Sequence, residues 1–340
     1  MKRENILHSF GPLFGFALLS LALWVLHHEL ETYHLQDIIQ HALSIPLPQI
    51  LGAFLLTIIS YLIMTGYDTL ALMYINHPLP YIKTAFASFV GYAFSNNIGL
   101  SMLAGGSVRY RLYSSWGLSV LEITKVVLFC TASLWMGFLT LTGTIFLMEP
   151  LAVPISLHIP FASIRILGFI VLLPVGFFLL LNIFHKESLK FREHEIKIPS
   201  FSFLGGQMAV AVLDWFVAGY VLFALLPVSQ DITLMRVLSV FLLGQLAGLA
   251  SQIPGGLGVF ESVVVIFLSP FIPASQIIGS LLVYRGMYYI FPLLIAALLL
   301  GVKELTAQKE TIQKWGGVVA QGASVLLPNV LALTTFIGGV

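Results

Sequence analysis

The sequence has little charge and almost no cysteine, and both shortages narrow the kinds of protein it can be. Of its 340 residues, 9% are charged and one is a cysteine, whereas about 25% of residues are charged in an ordinary soluble domain. The lone Cys130 excludes an intrachain disulfide and a cysteine-based zinc site. A net charge of +1 gives no basis for nucleic-acid binding.

Motifs of soluble enzymes are missing as well. The sequence contains no Gly-x-Ser-x-Gly nucleophile elbow, no phosphate-binding loop and no His-Glu-x-x-His zinc motif. The spacing of His27, His28, His34 and His41 lacks a tight ligand pair, so neither a metal nor a cofactor is expected.

The 58% share of hydrophobic residues predicts an all-α polytopic membrane protein. Two apolar runs, 85–103 and 237–271, are interrupted by polar and flexible residues. The first continuous run is read as a retained helix, because no small-residue cleavage pattern precedes Glu29. Continuous runs near or above the spanning length of about 18 residues lie at positions 11–28, 49–75, 124–148, 164–184, 203–226 and 276–302.

Basic residues predict which side of the membrane each loop faces. Lys2 and Arg3 place the N-terminus in the cytoplasm, and the loop 29–48, which has acidic residues but no Lys or Arg, lies outside. When basic residues are counted in the later loops in the same way, both ends of 85–103 lie on the cytoplasmic side and both ends of 237–271 lie outside. Both segments are therefore predicted to be re-entrant helical hairpins.

Two opposed hairpins predict an inverted-topology repeat. Residues 1–148 form the first membrane repeat, residues 164–302 form the second, and residues 318–340 begin a further span that is expected to continue in a longer protein. Transporters of this architecture bind their substrate near the bilayer midplane, between discontinuous helices. The cavity is predicted to be lined by Asn96, Asn97, Gly105, Gly106, Gln252, Pro254, Gly255, Gly256 and Tyr284.

Charged side chains inside the membrane need a partner or a purpose, since each costs about 2.5–3.5 kcal/mol or more at the bilayer centre. Asp68 and Asp214 fit either a structural ion pair or helix cap, or the binding of a cationic group. Glu261 fits either the cap of a half-helix N-terminus or the same binding. Arg285 lies too deep in its helix to reach the outer interface by snorkelling, which favours a site role.

Arg109 and Arg111 fit two roles equally well. They are either anchors on the cytoplasmic side or a phosphate clamp, because Arg offers a planar set of donors and the adjacent Gly105-Gly106 leaves backbone N–H groups accessible. Charges of both signs in an apolar protein suit a substrate with a charged head and an apolar tail, which is the description of a lipid.

Four segments form a specific combination. They are Asn96-Asn97-Ile98-Gly99 with Gly105-Gly106-Ser107-Val108-Arg109-Tyr110-Arg111, then Ile253-Pro254-Gly255-Gly256-Leu257-Gly258-Val259-Phe260-Glu261, and finally Tyr284-Arg285-Gly286-Met287-Tyr288-Tyr289. Over residues 10–305 the sequence resembles the transmembrane flippase region of the lysylphosphatidylglycerol synthase/flippase family, known as MprF (multiple peptide resistance factor).

The resemblance implies that aminoacylated phosphatidylglycerol, commonly the lysyl form, is moved from the inner to the outer leaflet of a bacterial plasma membrane, which gives resistance to cationic antimicrobial peptides. In the family a C-terminal soluble synthase domain makes the lipid. That domain lies outside this sequence, so a synthase domain or subunit is an expected partner. Smaller relatives with only the membrane block have less settled substrates, which keeps another lipid as an alternative.

The sequence thus predicts a lipid flippase, not an enzyme, in the inner membrane. A membrane phospholipid is the expected ligand, and a homodimer is a candidate assembly. The alternatives are a membrane-embedded enzyme acting on a lipid or prenyl phosphate, and a structural partner subunit. Phosphate binding is assigned to Arg109, Arg111 and Arg285, and binding of the head-group amines to Asp68, Asp214 and Glu261.

Overall fold

The structure, a computed structural model, describes residues 44–97, 101–152, 163–184, 189–191, 194–196, 201–251 and 254–307. The chain clusters into two compact units, Trp24–Ala296 and Met1–Leu23 with Ala297–Val340. Of the second unit, only residues 297–307 are described, and they form the end of one helix. The predicted span 11–28 and the predicted segment 318–340 lie outside the described residues.

The described chain is almost entirely helical, which confirms the predicted all-α class. A small antiparallel ribbon, β1 (Leu189–Phe191) and β2 (His194–Ile196), is added in the basic loop after the fourth predicted span. The described helices are α1 (Leu47–Tyr74), α2 (Tyr81–Asn97), α3 (Ser101–Ser115), α4 (Val120–Met148), α5 (Arg165–Phe184), α6 (Phe201–Leu225), α7 (Leu234–Ser251), α8 (Val259–Leu268), α9 (Ala274–Tyr284) and α10 (Phe291–Ala307).

Within the described residues, five helical stretches are long and apolar enough to cross a membrane. Each one coincides with a predicted span, which confirms a polytopic membrane protein. Large apolar side chains such as Leu55 and Leu173 are exposed on these helices, as expected where helices face lipid. The five stretches are Leu47–Tyr74, Val120–Met148, Arg165–Asn182, Phe203–Leu225 and Ala274–Lys303.

The first interrupted segment is a pair of short helices. Helices α2 and α3 pack against each other; α2 ends at Asn97, α3 begins at Ser101, and the residues between them lie outside the described part of the chain. Helix α3 continues to Ser115, well past the predicted end of the hairpin at residue 103. Arg109 therefore lies inside a helix and is buried.

The second interrupted segment breaks at the predicted Pro-Gly-Gly. Helix α7 ends at Ser251, Pro254–Gly256 forms one turn of 3₁₀-helix, and α8 begins at Val259. Gly255, Gly256 and Gly258 have φ values of 63°, 63° and 78°, a region that side chains with a Cβ enter only at a cost of about 1–2 kcal/mol. The glycines thus allow the chain to leave α7 and enter α8 within a few residues.

The last span is a composite of three pieces. Helix α9 passes directly into a π-helical stretch, Arg285–Ile290, which passes into α10. A π-helical stretch widens the turn and is frequent at functional sites. Here it carries Arg285 and the two tyrosines Tyr288 and Tyr289, all of them buried.

Helix α6 is packed closely against two long neighbours. A Cβ added to Gly137 of α4 would overlap the Cβ of Ala211, and one added to Gly66 of α1 would lie 3.1 Å from Cγ1 of Val210. Small residues at such crossings let helix backbones approach in a membrane, where packing drives association. The close contact with α1 positions Asp214 of α6 for the site described next.

Candidate functional site: buried charges where the breaks meet

The two interrupted segments come together at their breaks. Asn97, the last residue of α2, donates from Nδ2 to the carbonyl oxygen of Tyr289 at 3.1 Å. A Cβ added to Gly255 would lie 3.9 Å from the carbonyl oxygen of Asn97 and 3.9 Å from Nη1 of Arg285. The break after α2 and the turn after α7 therefore both lie beside the π-helical stretch.

A bidentate ion pair joins α1 to α3. Arg109 donates from Nε to Oδ1 of Asp68 at 2.8 Å and from Nη2 to Oδ2 at 2.7 Å. The hydroxyl of Tyr113, one turn along α3, also donates to Oδ1 at 2.7 Å. Asp68 is 0% and Arg109 is 4% exposed, so the pair is shielded from solvent on all sides.

Two glycines and a tyrosine make the space for Arg109. A Cβ added to Gly91 or Gly105 would lie 3.2 Å or 3.1 Å from its Nη1 atom, closer than side chains normally approach. The guanidinium carbon lies 4.5 Å from the ring centroid of Tyr92, a cation–π contact. Gly105, predicted as cavity-lining, therefore packs directly against the arginine.

A second ion pair joins α8 to the π-helical stretch. Arg285 contacts Oε1 of Glu261 through Nε at 2.7 Å and Nη2 at 2.6 Å. Its Nη1 donates to the carbonyl oxygen of Gly255 at 3.0 Å, inside the broken backbone. Rings of Phe260 and Tyr289 lie 5.2 Å and 4.8 Å from the guanidinium carbon.

The other carboxylate oxygen of Glu261 caps its own helix. Oε2 accepts the backbone N–H of Gly258 at 2.7 Å, at the N-terminus of α8. A carboxylate at this end is favoured by the helix dipole and satisfies an N–H group that has no intrahelical partner. Glu261 thus combines the cap with an ion pair, and the same side chain holds both the broken backbone and Arg285.

Asp214 is buried without a cation. Its Oδ1 accepts from the Ser60 hydroxyl at 3.1 Å and its Oδ2 from the Tyr67 hydroxyl at 3.0 Å. Ser60 also lies 2.8 Å from the hydroxyl of Tyr288. Within the described part of the chain, no arginine, lysine or histidine forms an ion pair with Asp214.

Tyrosines connect Asp214 to both ion pairs. The ring of Tyr67 lies 5.5 Å from that of Tyr92, which in turn lies under Arg109. On the other side, Tyr288 and Tyr289 are 5.3 Å apart, and Tyr289 lies under Arg285. One continuous cluster therefore contains three carboxylates and two guanidinium groups.

Within each of the two ion pairs of this cluster, the opposite charges neutralise each other. Removing one partner of a buried pair leaves an uncompensated charge and costs about 3–5 kcal/mol, although the complete pair contributes little net stability. A ligand that carries both a phosphate and an amine can replace both partners at once. The chemistry available here is therefore exchange of ionic partners in a dry site.

An apolar groove of about 250 Å³ runs beside the cluster, between α1, α2 and the start of α10. Tyr61 lies at its inner wall and donates its hydroxyl hydrogen to the carbonyl oxygen of Tyr288 at 3.1 Å. The groove is lined by Phe54, Thr57, Ile58, Tyr61, Leu62, Thr65, Ala85, Phe89, Phe291, Pro292 and Ile295. Its walls suit a hydrocarbon chain.

The remaining predicted site residues are more scattered. Arg111 is half-buried on α3, two residues from Arg109, and Asn96 is half-buried at the end of α2. Gly106 faces Val127 of α4. Gln252 lies outside the described residues, and of Pro254 only the backbone is described.

Tyr284 is buried in an aromatic stack formed with Phe260 and Tyr288. Its hydroxyl has no hydrogen-bond partner among the described residues. The phosphate-binding and amine-binding roles given to the charged residues remain predictions.

Ser60, Tyr67 and Tyr113 belong to the cluster but are absent from the predicted site. A signal for them existed: Ser60 and Tyr67 are two helical turns apart on α1, and Tyr113 is one turn after Arg109. Among the described residues, no group of three His, Cys, Asp or Glu side chains could hold a metal ion. The four N-terminal histidines lie outside those residues.

Comparison with known proteins places the chain in a family. The sequence is 40% identical over 304 residues to the protein slr0712 of Synechocystis sp., covering 89% of this chain and 94% of that protein. It is 34% identical over 263 residues to the inner membrane protein YbhN of Escherichia coli, covering 76% and 81%.

A more distant similarity is to the phosphatidylglycerol lysyltransferase of Staphylococcus xylosus, with 26% identity over 292 residues. The match covers 84% of this chain but 33% of the lysyltransferase. Five apolar helices and an inner membrane relative support a bacterial inner membrane protein. Residues 13–296 match the family model described as the lysylphosphatidylglycerol synthase TM region, and the chain therefore belongs to that family.

Proposed function

We propose that the chain is a lipid flippase that moves aminoacylated phosphatidylglycerol, such as the lysyl form, from the inner to the outer leaflet. The supporting observation is the cluster of three buried carboxylates and two buried guanidinium groups, Asp68, Asp214, Glu261, Arg109 and Arg285, at the meeting point of two interrupted helix pairs. A lysyl lipid head carries a phosphate and two ammonium groups, so it offers charges of both signs.

Binding proceeds by exchange of partners. In the described arrangement Arg109 and Arg285 are neutralised by Asp68 and Glu261. A lipid phosphate takes the place of a carboxylate on an arginine, and an ammonium group takes the place of an arginine on a carboxylate. Because no buried charge is left alone at any stage, the exchange avoids the large cost of an unpaired ion.

The second ion pair links this exchange to movement. Arg285 is bonded to the carbonyl oxygen of Gly255, and Glu261 accepts from the N–H of Gly258. A shift of the Pro-Gly-Gly turn therefore separates Arg285 from one of its acceptors and moves the carboxylate cap. Discontinuous helices that rock around a fixed site are a known route to alternating access.

The acyl chains remain in hydrocarbon during transport. One of them occupies the groove beside Tyr61 and Thr65, whose walls are apolar. Chemistry on the lipid is not part of the role, so the chain is a translocase and not an enzyme. The match covers 33% of the lysyltransferase of Staphylococcus xylosus. On this proposal, aminoacyl transfer belongs to the part of that protein outside the match, and a synthase domain or subunit supplies the lipid here.

Reconstitution into liposomes tests the proposal. The purified protein is expected to make a fluorescent lysyl-phosphatidylglycerol accessible to a quencher in the opposite leaflet without changing its mass. Glu261→Ala and Arg285→Ala are expected to abolish this movement at equal reconstitution. Arg236→Ala is the matched control, because its pair with Glu149 is partly exposed and has a 3.6 Å separation.

Three outcomes contradict the proposal in different ways. A new product mass indicates an enzyme acting on a lipid. Normal movement in both Glu261→Ala and Arg285→Ala rejects the site. No lipid movement by the intact protein, when the protein is folded and inserted, favours a subunit that works only with a partner.

A further inference from the structure

We propose that Asp214 is a proton-binding site, at which a proton and the ammonium group of the transported lipid replace each other. The inference rests on the proposed flippase function and adds its coupling ion. Lipid movement in one direction is then accompanied by a proton in the other. The starting observation is that Asp214 differs from the other two buried carboxylates of the cluster.

The first step is the absence of a compensating cation. Both carboxylate oxygens of Asp68 are occupied by Arg109, and Glu261 is bonded to Arg285. Asp214 is 3% exposed and its described partners are neutral hydroxyls. Two hydroxyl donors offset part of the cost of burying an ionised carboxylate, but an ion in a membrane interior still favours a proton or a counter-ion.

The second step is that the hydroxyl groups suit both protonation states. When the carboxylate is ionised, Ser60 donates its one hydroxyl hydrogen to Oδ1, and the Tyr288 hydroxyl donates to Ser60 Oγ. When Asp214 is protonated, its O–H can donate to Ser60 Oγ, and Ser60 then donates to Tyr288. Rotating hydroxyl hydrogens is enough for this change, because Ser and Tyr hydroxyls both donate and accept.

Among the described residues, no other charge replaces the missing partner. The part of α4 beside Asp214, residues 133–138, has no ionisable side chain, and Arg236 of α7 is bonded to Asp231 and Glu149 instead. Arg109, on the far side of Tyr92, is held by Asp68. The ionisable groups that face Asp214 from the neighbouring elements are the phenols Tyr61, Tyr67, Tyr92 and Tyr288.

The third step is the charge balance of a cycle. When the lipid ammonium binds, the O–H bond of Asp214 breaks and the proton leaves to water. When the lipid leaves on the other side, Asp214 takes up a proton there, since a bare carboxylate is unfavourable in the closed site. A lysyl lipid has a single net positive charge, so exchanging it for one proton moves no net charge.

Liposomes with a controlled pH difference and membrane potential test this coupling. A pH difference is expected to change the rate of lysyl-lipid movement about tenfold per pH unit at most, whereas a membrane potential at equal pH is expected to change it little. Asp214→Asn, which resembles the protonated carboxyl, is expected to lose the pH response. Asp231→Asn, in an exposed loop, is the matched control and should keep it.

A second measurement keeps the test independent of transport. Adding short-chain lysyl-phosphatidylglycerol to the purified protein in weakly buffered detergent is expected to release a proton from the intact protein and not from Asp214→Asn. If the intact protein moves lipid with no pH response and no proton release, the inference is overturned and the flippase function stands. If it moves no lipid at all, the proposed function fails first.

Discussion

The two buried ion pairs differ in what they hold in place. The pair Asp68–Arg109 uses both oxygens of the carboxylate and is completed by Tyr113, so it consists entirely of side chains of α1 and α3. The pair Glu261–Arg285 uses one carboxylate oxygen, while the other oxygen and the guanidinium bind the backbone of the Pro-Gly-Gly turn.

We call the first pair, Asp68–Arg109, the clamp and the second pair, Glu261–Arg285, the latch. The first pair can be broken only by moving two helices apart, whereas the second opens when a short glycine-rich turn changes shape. Asp214 lies between them and forms no ion pair within the part of the chain that the structure describes. We therefore expect that breaking the first pair lowers stability most and that breaking the second lowers transport most.

The largest expected effect is the loss of protein stability when the first pair is broken. Arg109→Met leaves the carboxylate of Asp68 buried and unpaired, and the free energy of unfolding should fall by about 3–5 kcal/mol. The double variant Asp68→Leu, Arg109→Met should recover most of that loss. Arg236→Met, in a partly exposed pair, should lose less than about 1 kcal/mol.

Unfolding of the purified protein from detergent micelles, followed by circular dichroism, measures these differences. If Arg109→Met is no less stable than Arg236→Met, burial does not determine how much stability is lost when an ion pair is broken. If the double variant stays as unstable as Arg109→Met, the loss comes from packing around Tyr92 and not from the unpaired charge.

The next effect is on transport by the second pair. Lysine keeps the charge of Arg285 but cannot bond Glu261 and Gly255 in the same geometry. Loss of about 1.5–3 kcal/mol from such a bond corresponds to a fall in lipid movement of about tenfold to hundredfold per folded molecule in Arg285→Lys. Arg109→Lys should lower movement less, once the folded fraction is taken into account. Equal losses in the two variants would remove the distinction between clamp and latch.

The sequence predicts the spans and breaks well because both depend on local composition. The five described spans follow from apolar length, and the two breaks follow from Asn96 to Gly99 and from Pro254 to Gly256. The extension of α3 to Ser115 was not predicted, because Arg109 and Arg111 fit anchors on the cytoplasmic side as well as a phosphate clamp.

The sequence also identifies the charged residues but not their partners. Asp68 and Arg109 are 41 positions apart, and helical periodicity indicates the depth of each without indicating which helices meet. Ser60 and Tyr67 were not predicted for the same reason, because they belong to the site only through their hydrogen bonds to Asp214 on another helix. The π-helical stretch at Arg285 has no counterpart in the sequence pattern. The inverted repeat and its domain boundaries remain predictions.

A smaller effect is expected at two glycines, one in each interrupted segment. Gly105 needs space, because a Cβ there would overlap Ser95 Oγ and crowd Arg109, and overpacking costs about 1–3 kcal/mol. Gly255 needs its positive φ of 63°, while its nearest neighbours are at ordinary distances of 3.8–3.9 Å. Asparagine tolerates positive φ better than alanine does.

The two positions should therefore respond in opposite order. Gly255→Asn should be more stable than Gly255→Ala, by up to about 1 kcal/mol, whereas Gly105→Asn should be less stable than Gly105→Ala. The same unfolding measurement compares all four variants. The same order at both positions would show that one constraint, either space or backbone angle, governs both breaks.

The smallest effect concerns two tyrosine hydroxyls near Arg109. Tyr113→Phe removes a 2.7 Å hydrogen bond to Asp68. The free energy of unfolding should fall by about 0.5–2 kcal/mol, which spans the values for a hydrogen bond between membrane helices and for a bond to a charged acceptor. Tyr92→Phe keeps the ring under Arg109 and removes a hydroxyl that has no partner among the described residues, so its stability should change by less than about 0.5 kcal/mol. The difference isolates the third donor on Asp68, because both variants lose one oxygen at a buried site next to the same ion pair. A cost in Tyr92→Phe equal to that in Tyr113→Phe would mean that the Tyr92 hydroxyl has a partner of its own, and the first pair would then be a wider network than a clamp of three side chains.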